Sequence, residues 1–479
     1  MPSKIHLTNF LSVNITSLID MILPIVVILS LGRFYKVEEF GNYSVAAAFM
    51  SAMAIFLTFG LGNVISYEVA AVKSENKMVI SAILYSGILA LLVFSIIGFS
   101  LISILIVLLR YSNEVIILIW LLGLGYWSIG LISAFNGVFM GLREMHYPAV
   151  SALSVVIAAF IIVIPTIFFH RPIWQIALSW SLCHSVGCIV SLGLLCKKGL
   201  LIKSHFEKQR LELILKRSLG VGFNNVINRV GVNLTNMAIP LYLSSYQIGV
   251  FNGALKPFVV FAVASTNALR FFSPYIARMK NEPMQNIEYY LAITHKVVAF
   301  FALTIMVVPI FYAEPITKFI FGNNLIDSSP YMSVLALGYV LFFLPPQTPP
   351  LMALGLEWKV VWCSLSRVIF NLFGILIFVP KYGIMGAVYA VNLSLIAYWF
   401  STIVCYWSEK IKPVDNINRY LTFSIVSVML AYLVRIWMSN QLYGIILFML
   451  LSWSISLIIY WGKHEREIAL LYTRKFIKV

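Results

Sequence analysis

"NNVINRVGVNLTNM" (Asn224–Met237) decides how this chain is read. It lies inside a segment, Leu219 to Leu243, long enough to cross a bilayer, yet it carries one arginine and five asparagines. On a helix, Asn225, Arg229, Asn233 and Asn236 are spaced i, i+4, i+8 and i+11 and share one stripe, with Val226, Ile227, Val230 and Leu234 elsewhere. A charge at mid-membrane costs about 2.5–3.5 kcal/mol on insertion scales, so the stripe faces protein or water rather than lipid. Either Arg229 neutralises a carboxylate, for which Asp20 is the candidate, or it lines a polar cavity that receives an anion.

The rest of the chain places that stripe in a membrane. Of 479 residues, 61% are hydrophobic and only 11% charged, a balance no soluble domain has. Fourteen runs have the length of about 20 residues needed to span. They are Phe10–Leu31, Tyr43–Ile65, Met78–Leu109, Val115–Met140, Ala149–Phe169, Trp174–Cys196 and Leu219–Leu243 in the first part of the chain. Ala254–Ile276, Ile293–Ala313, Tyr331–Leu354, Val360–Val379, Ile384–Trp407, Tyr420–Met438 and Leu442–Trp461 follow. Trp174, Tyr331, Trp407 and Trp461 stand at span ends as interface anchors. The first run lacks a small-residue cleavage site and is a full span, so it is expected to be kept.

The net charge of +16 is not gathered in one domain, which argues against nucleic acid as a partner. With both termini cytoplasmic, most Lys and Arg fall on the cytoplasmic side, as the positive-inside rule requires. The densest cluster, "CKKGLLIKSHFEKQRLELILKR" (Cys196–Arg217), reads as a surface-lying amphipathic link that anchors topology or meets a partner. The five cysteines, Cys183, Cys188, Cys196, Cys363 and Cys405, fall in or at the ends of spans with no CxxC spacing, so neither a disulfide framework nor a metal site is expected. No GxxxxGK[ST], HExxH or GxSxG motif occurs, which disfavours an enzyme and direct ATP drive.

No loop is long enough for an extramembrane domain, so activity belongs among the helices. The basic link divides the chain into an N-terminal lobe of six helices (residues 1–196), the linker (197–218), a C-terminal lobe of helices 7–12 (219–407), and two further helices with a basic tail (408–479). "FGNYSVAAAF" and "IGVFNGALKPF" each follow the first helix of a lobe. They align Gly41, Tyr43 and Ala46 with Gly249, Phe251 and Ala254 at an offset of 208 residues. Six helices is an even number, so the repeat is parallel, an architecture used by transporters with a midplane cavity.

The spans contain Arg229, Lys256, Arg270 and Arg367, but Asp20 is the one carboxylate deep in a span. Pairing leaves three cations over, and a cavity that is net positive suits phosphate or carboxylate. Lys256 and Arg270 lie about four turns apart near one face of the eighth span; Lys256 either joins the cavity or snorkels to the interface. Arg367 has Ser364 and Asn371 one turn away on either side. Ser12, Thr16 and Asp20 form a stripe in the first span, with Asp20 either a proton or Na⁺ coupling site, Thr16 beside it, or the partner of Arg229. "LPPQTPP" (Leu344–Pro350) breaks the tenth span, making Gln347 and Thr348 cavity liners or marking a plain kink.

A family resemblance joins these features. "EEFGNYSVAAAF…FLTFGLGNVISYEVA", with Gly41, Tyr43 and Gly60, resembles the start of the Wzx-type O-antigen and polysaccharide repeat-unit flippases of the MATE-like superfamily. "FNGVFMGLREMHYPAV", "FFSPYIARM", "FIFGNNLIDSSPYM" and "FVPKYGIMGAVYAVNLS" are similar in order and position across roughly residues 10–400. The resemblance implies an all-α, two-lobed bundle in the bacterial cytoplasmic membrane that moves a polyprenyl-pyrophosphate-linked oligosaccharide to the outer leaflet by alternating access. It implies no cofactor beyond H⁺ or Na⁺ coupling, and membrane lipid, a polysaccharide polymerase and a chain-length regulator as further partners. The family commonly has twelve helices, so the last pair here departs from it, as does the proline cluster. A peptidoglycan-precursor flippase, another exporter of the superfamily, or a membrane-embedded polymerase or transferase acting on the same lipid-linked sugars are the alternative readings.

Overall fold

The computed structural model describes residues 24–72, 76–202, 207–278, 284–412, 417–438 and 440–460. The described residues are helical, with short turns between. In chain order the helices are α1 (Pro24–Phe34), α2 (Val37–Thr58), α3 (Leu61–Ala70), α4 (Lys77–Leu109), α5 (Asn113–Gly141), α6 (His146–Phe168), α7 (Ile173–Lys197) and α8 (Lys208–Ala238). They continue as α9 (Ser245–Arg278), α10 (Met284–Phe321), α11 (Ser329–Phe343), α12 (Pro349–Ala353), α13 (Glu357–Tyr382), α14 (Ile384–Ser408), α15 (Ile417–Trp437) and α16 (Gln441–Tyr460). Ten segments among the described residues are long and apolar enough to span a membrane, α2 and α3 counted as one. The expectation of an all-helical, multi-pass membrane protein therefore holds. Of the four remaining expected spans, α1 and the apolar part of α16 are shorter apolar helices, while α8 and α9 are helical over 31 and 34 residues.

Two of the expected spans are broken, one read from the sequence as continuous and one read with a break at its proline cluster. Between α2 and α3, Phe59 and Gly60 both take left-handed backbone, with φ of 41° and 71°. Glycine adopts that conformation without the Cβ penalty, which lets the chain turn and resume as a helix. Between α11 and α12, the prolines of Leu344–Pro350 remove donors and end the helix after Phe343. The carbonyls so freed are met by side chains of α14: Trp399 Nε1 donates to Leu344 O (3.1 Å) and Pro345 O (3.2 Å), and Tyr406 Oη donates to Gln347 O (3.0 Å). His295 Nε2 on α10 accepts from Gln347 N at 3.1 Å. Gln347 and Thr348 are both buried, so protein rather than an open cavity satisfies this break.

The chain divides into two compact units, Met1–Asn252 and Gly253–Val479. In the first, α5 packs on α2, α3 and α7, and α6 on α7. A core of Ile65, Leu84, Leu91, Phe94, Phe139 and their neighbours fills one end. Leu200 and Ile214, from the basic link and the start of α8, belong to the same core, so the described parts of the link are packed down. Ser81 fastens it, its Oγ donating to Ile202 O (2.7 Å) and accepting from Ile202 N (3.1 Å); Arg217 pairs with Glu68. In the second unit α13 and α14 form a close hairpin, and α10 packs on α11, α15 and α16. The last two helices are joined to α10 by hydroxyls: Ser452 Oγ lies 3.2 Å from Thr304 Oγ1 and 3.4 Å from Ser427 Oγ.

Candidate substrate cavity

A cavity of about 530 Å³ opens in the first unit, lined from α1, α2, α3, α5, α6, α7 and α8. α8 contributes Arg229, the only charged residue on its wall; no Asp, Glu or Lys lines it among the described residues. α5 and α3 bring Ser133, Asn136 and Asn63, and α5 and α7 bring the rings of Tyr126, Trp180 and His184. Glycine and serine at helix crossings let the helices around the cavity approach closely. Gly137 packs against the backbone of Gly62, and Ser181 Oγ of α7 donates to Leu121 O (2.6 Å) while accepting from Gly125 N (3.1 Å).

The aromatic wall is ordered by short spacing on one helix. Trp180 and His184 are four residues apart on α7, with ring centroids 4.2 Å apart, and Tyr126 lies 5.1 Å from Trp180. His184 Nδ1 sits 2.9 Å from Trp180 O. A carbonyl cannot donate, so Nδ1 carries the hydrogen, and in the neutral ring Nε2 is then the acceptor. Asn136 Oδ1 is buried with no hydrogen-bond partner, a costly state unless something meets it. Such a wall offers one cation, side-chain amides and ring faces, which suits an uncharged polar ligand attached to an anion.

The residues singled out from sequence go to different places. Arg229 lines the cavity, and no carboxylate among the described residues pairs with it; Asp20 and Thr16 lie outside the described residues, as do the side chains of Asn225 and Arg270. Asn233 Nδ2 turns back to Arg229 O on its own helix at 2.9 Å. Asn236 is buried, its Oδ1 accepting from Asn252 Nδ2 at 2.8 Å, and is not a wall residue. In the second unit, Lys256 is half-buried on α9. Arg367 on α13 stacks over Phe342 and Tyr398, its Cζ 5.8 Å from each centroid, and its Nε is buried without a hydrogen-bond partner. Asn371 is buried with its amide 3.5 Å from Ala390 O, between α13 and α14. Asn63, Ser133, Asn136, Tyr126, Trp180 and His184 escaped the sequence reading. The i, i+4 pair in "WSLCH" was the available signal, but aromatic and histidine spacing of that kind is also ordinary core.

Comparison with known proteins bears on the fold and the family. The model of the family described as polysaccharide biosynthesis protein matches residues 6–280. Among solved structures, the chain is similar to the lipid II flippase MurJ in an inward closed conformation, at 16% identity and a TM-score of 0.69, covering 95% of this chain and 99% of that one. It is also similar to an inward-facing multidrug resistance MATE family transporter of the MOP superfamily, at 14% identity and a TM-score of 0.65, covering 85% and 96%. The MATE multidrug transporter DinF-BH matches at 16% identity and a TM-score of 0.56, covering 85% and 96%. No curated protein matches the sequence. At these identities the structures establish a shared fold.

Proposed function

The chain belongs to the polysaccharide biosynthesis protein family, and on that premise we propose that it is a flippase carrying a polyprenyl-pyrophosphate-linked oligosaccharide, an O-antigen or similar repeat unit, from the cytoplasmic to the outer leaflet. The observation that carries the reading is Arg229, which among the described residues is the one cation on a cavity wall that carries no carboxylate and brings amides, hydroxyls and rings beside its apolar residues. A pyrophosphate is met by the guanidinium, and sugar hydroxyls by Asn63, Ser133 and Asn136. Ring faces of the tyrosine and tryptophan kind suit the apolar faces of a sugar. Arg367 and Arg270 are further anion contacts on this reading, with Lys256 and Asn225 as neighbours, and Asp20 with Thr16 as the proton or Na⁺ site. Alternating access moves the ligand between leaflets without chemistry on it. The membrane is the bacterial cytoplasmic membrane, with both termini on the cytoplasmic side.

A second reading, a peptidoglycan-precursor flippase, is favoured by the likeness to the lipid II flippase MurJ. The two are separated in one assay. Sealed vesicles receive a labelled polyprenyl-pyrophosphate oligosaccharide or lipid II on one face, and an impermeant glycan-modifying enzyme reports what reaches the other. Protein-dependent appearance of the oligosaccharide, with or without an imposed H⁺ or Na⁺ gradient, is the expected result. Transfer of lipid II alone moves the assignment to the second reading, and elongation of the glycan without crossing overturns both.

A further inference from the structure

Positions that the sequence aligns at an offset of 208 residues meet in the fold. Gly41, near the start of α2, packs on the start of α9. A Cβ on Gly41 would overlap Ser245 O and lie 2.8 Å from Gly249 N; a Cβ on Gly249 would overlap Val37 O and lie 2.9 Å from Val37 C. Backbone touches backbone here, which only glycine at both positions allows. One turn further along each helix stand Ser44 and Asn252, again 208 residues apart. Both are buried, and both Ser44 Oγ and Asn252 Oδ1 lack a hydrogen-bond partner. Asn252 Nδ2 is in use, donating to Asn236 Oδ1 and Ile248 O. Buried polar atoms are nearly always paired, so two orphans at equivalent positions beside one contact call for an explanation.

α2 supplies it, because the cavity lies at its other end. Ala54 and Thr58 line the cavity, and Ala54 is 13 residues beyond Gly41, roughly 20 Å along the helix axis. The glycine contact thus stands between the cavity and the membrane face at which α2 begins. We propose that the Gly41–Gly249 seam is a gate on that face, closed in this structure and held close to balance by the polar atoms it strands; the proposal rests on the transport reading. Close backbone contact, with the Val37 side chain against Gly249, favours closure. Ser44 and Asn252 favour opening, since parting the helices exposes their oxygens to hydrogen-bond donors. Opposed terms of this kind keep both states accessible, as a cycling carrier requires.

The test uses the full-length protein with its five cysteines replaced and one reporter, Ala48→Cys, at a buried position one turn beyond Ser44. Intact cells and inverted vesicles are labelled in parallel with a membrane-impermeant maleimide, which also decides the face. Ser44→Ala removes one stranded atom and is expected to slow labelling by roughly fivefold or more, the population change that follows from removing one unpaired buried polar group. Gly249→Ala wedges the seam and is expected to speed labelling. An unchanged rate in Ser44→Ala, or slower labelling in Gly249→Ala, overturns the gate; if the glycine variant fails to reach the membrane, Ser44→Ala decides alone. Labelling needs no substrate. A protein that responds as expected yet moves no lipid-linked oligosaccharide keeps the gate and loses the substrate reading, whereas transport with an unresponsive reporter does the reverse.

Discussion

Asn252 Nδ2 donates to Asn236 Oδ1 at 2.8 Å, with both residues buried, so the last asparagine of the polar stripe on α8 ties that helix to α9. Replacing one partner strands the other. Asn236→Leu is expected to destabilise the protein by about 1–3 kcal/mol. The double variant Asn236→Leu/Asn252→Leu is expected to lose less than the sum of the two single losses. Thermal unfolding in detergent measures both; additive losses would remove the pair from the account of α8.

Arg229 is tested by charge and by shape. Arg229→Gln is expected to weaken binding of a lipid-linked pyrophosphate by about tenfold or more, the equivalent of one hydrogen bond to a charged group at about 1.5–3 kcal/mol. Arg229→Lys keeps the charge and loses the planar fork, so it should fall between the two. Equilibrium binding with purified protein reads the order. Equal binding by all three would take Arg229 out of the site.

Trp399 meets two carbonyls of the proline break at once. Trp399→Phe keeps most of the ring and removes the donor, and the expected cost is about 1–3 kcal/mol for acceptors left buried. His295→Leu is expected to act in the same direction through Gln347 N. Differential scanning of the purified variants checks this, and a variant as stable as the parent would mean the freed groups find other partners.

Lys198 Nζ donates to Glu144 Oε1 at 2.7 Å and lies over the Tyr147 ring, and that hydrogen bond to the carboxylate raises the pKa of the ammonium above its ordinary value. A raised lysine contributes stability that is complete below its unfolded value of about 10.4 and is lost as pH climbs through the folded one. The gap in stability between the parent and Lys198→Met is therefore expected to stay constant from pH 6 to about 9.5 and to shrink above about 10.5. Unfolding curves across that range give the answer; a gap that opens at acid pH instead would place the effect on another group.

Much of the fold is legible in the sequence because a bilayer leaves few choices. Apolar runs of spanning length, and the proline cluster at Leu344–Pro350, read directly as helices and a break. What satisfies the break does not, since Trp399, Tyr406 and His295 come from helices distant in sequence. The polar stripe of α8 marks a face that avoids lipid, and periodicity goes no further than that. Along one stripe, Arg229 meets a cavity, Asn233 its own backbone and Asn236 another asparagine.

The sequence by itself determined that this is a helical membrane protein with arginines inside it, and it aligns Gly41 with Gly249 at an offset of 208 residues. These follow from hydropathy and from spacing along one chain, both local properties. Only the tertiary structure decided which wall Arg229 faces, that Trp180, His184, Tyr126 and Asn136 share it, and that the two glycines touch. Those outcomes depend on how helices cross, and a crossing is fixed by the fit of two surfaces far apart in sequence, which neither surface encodes alone.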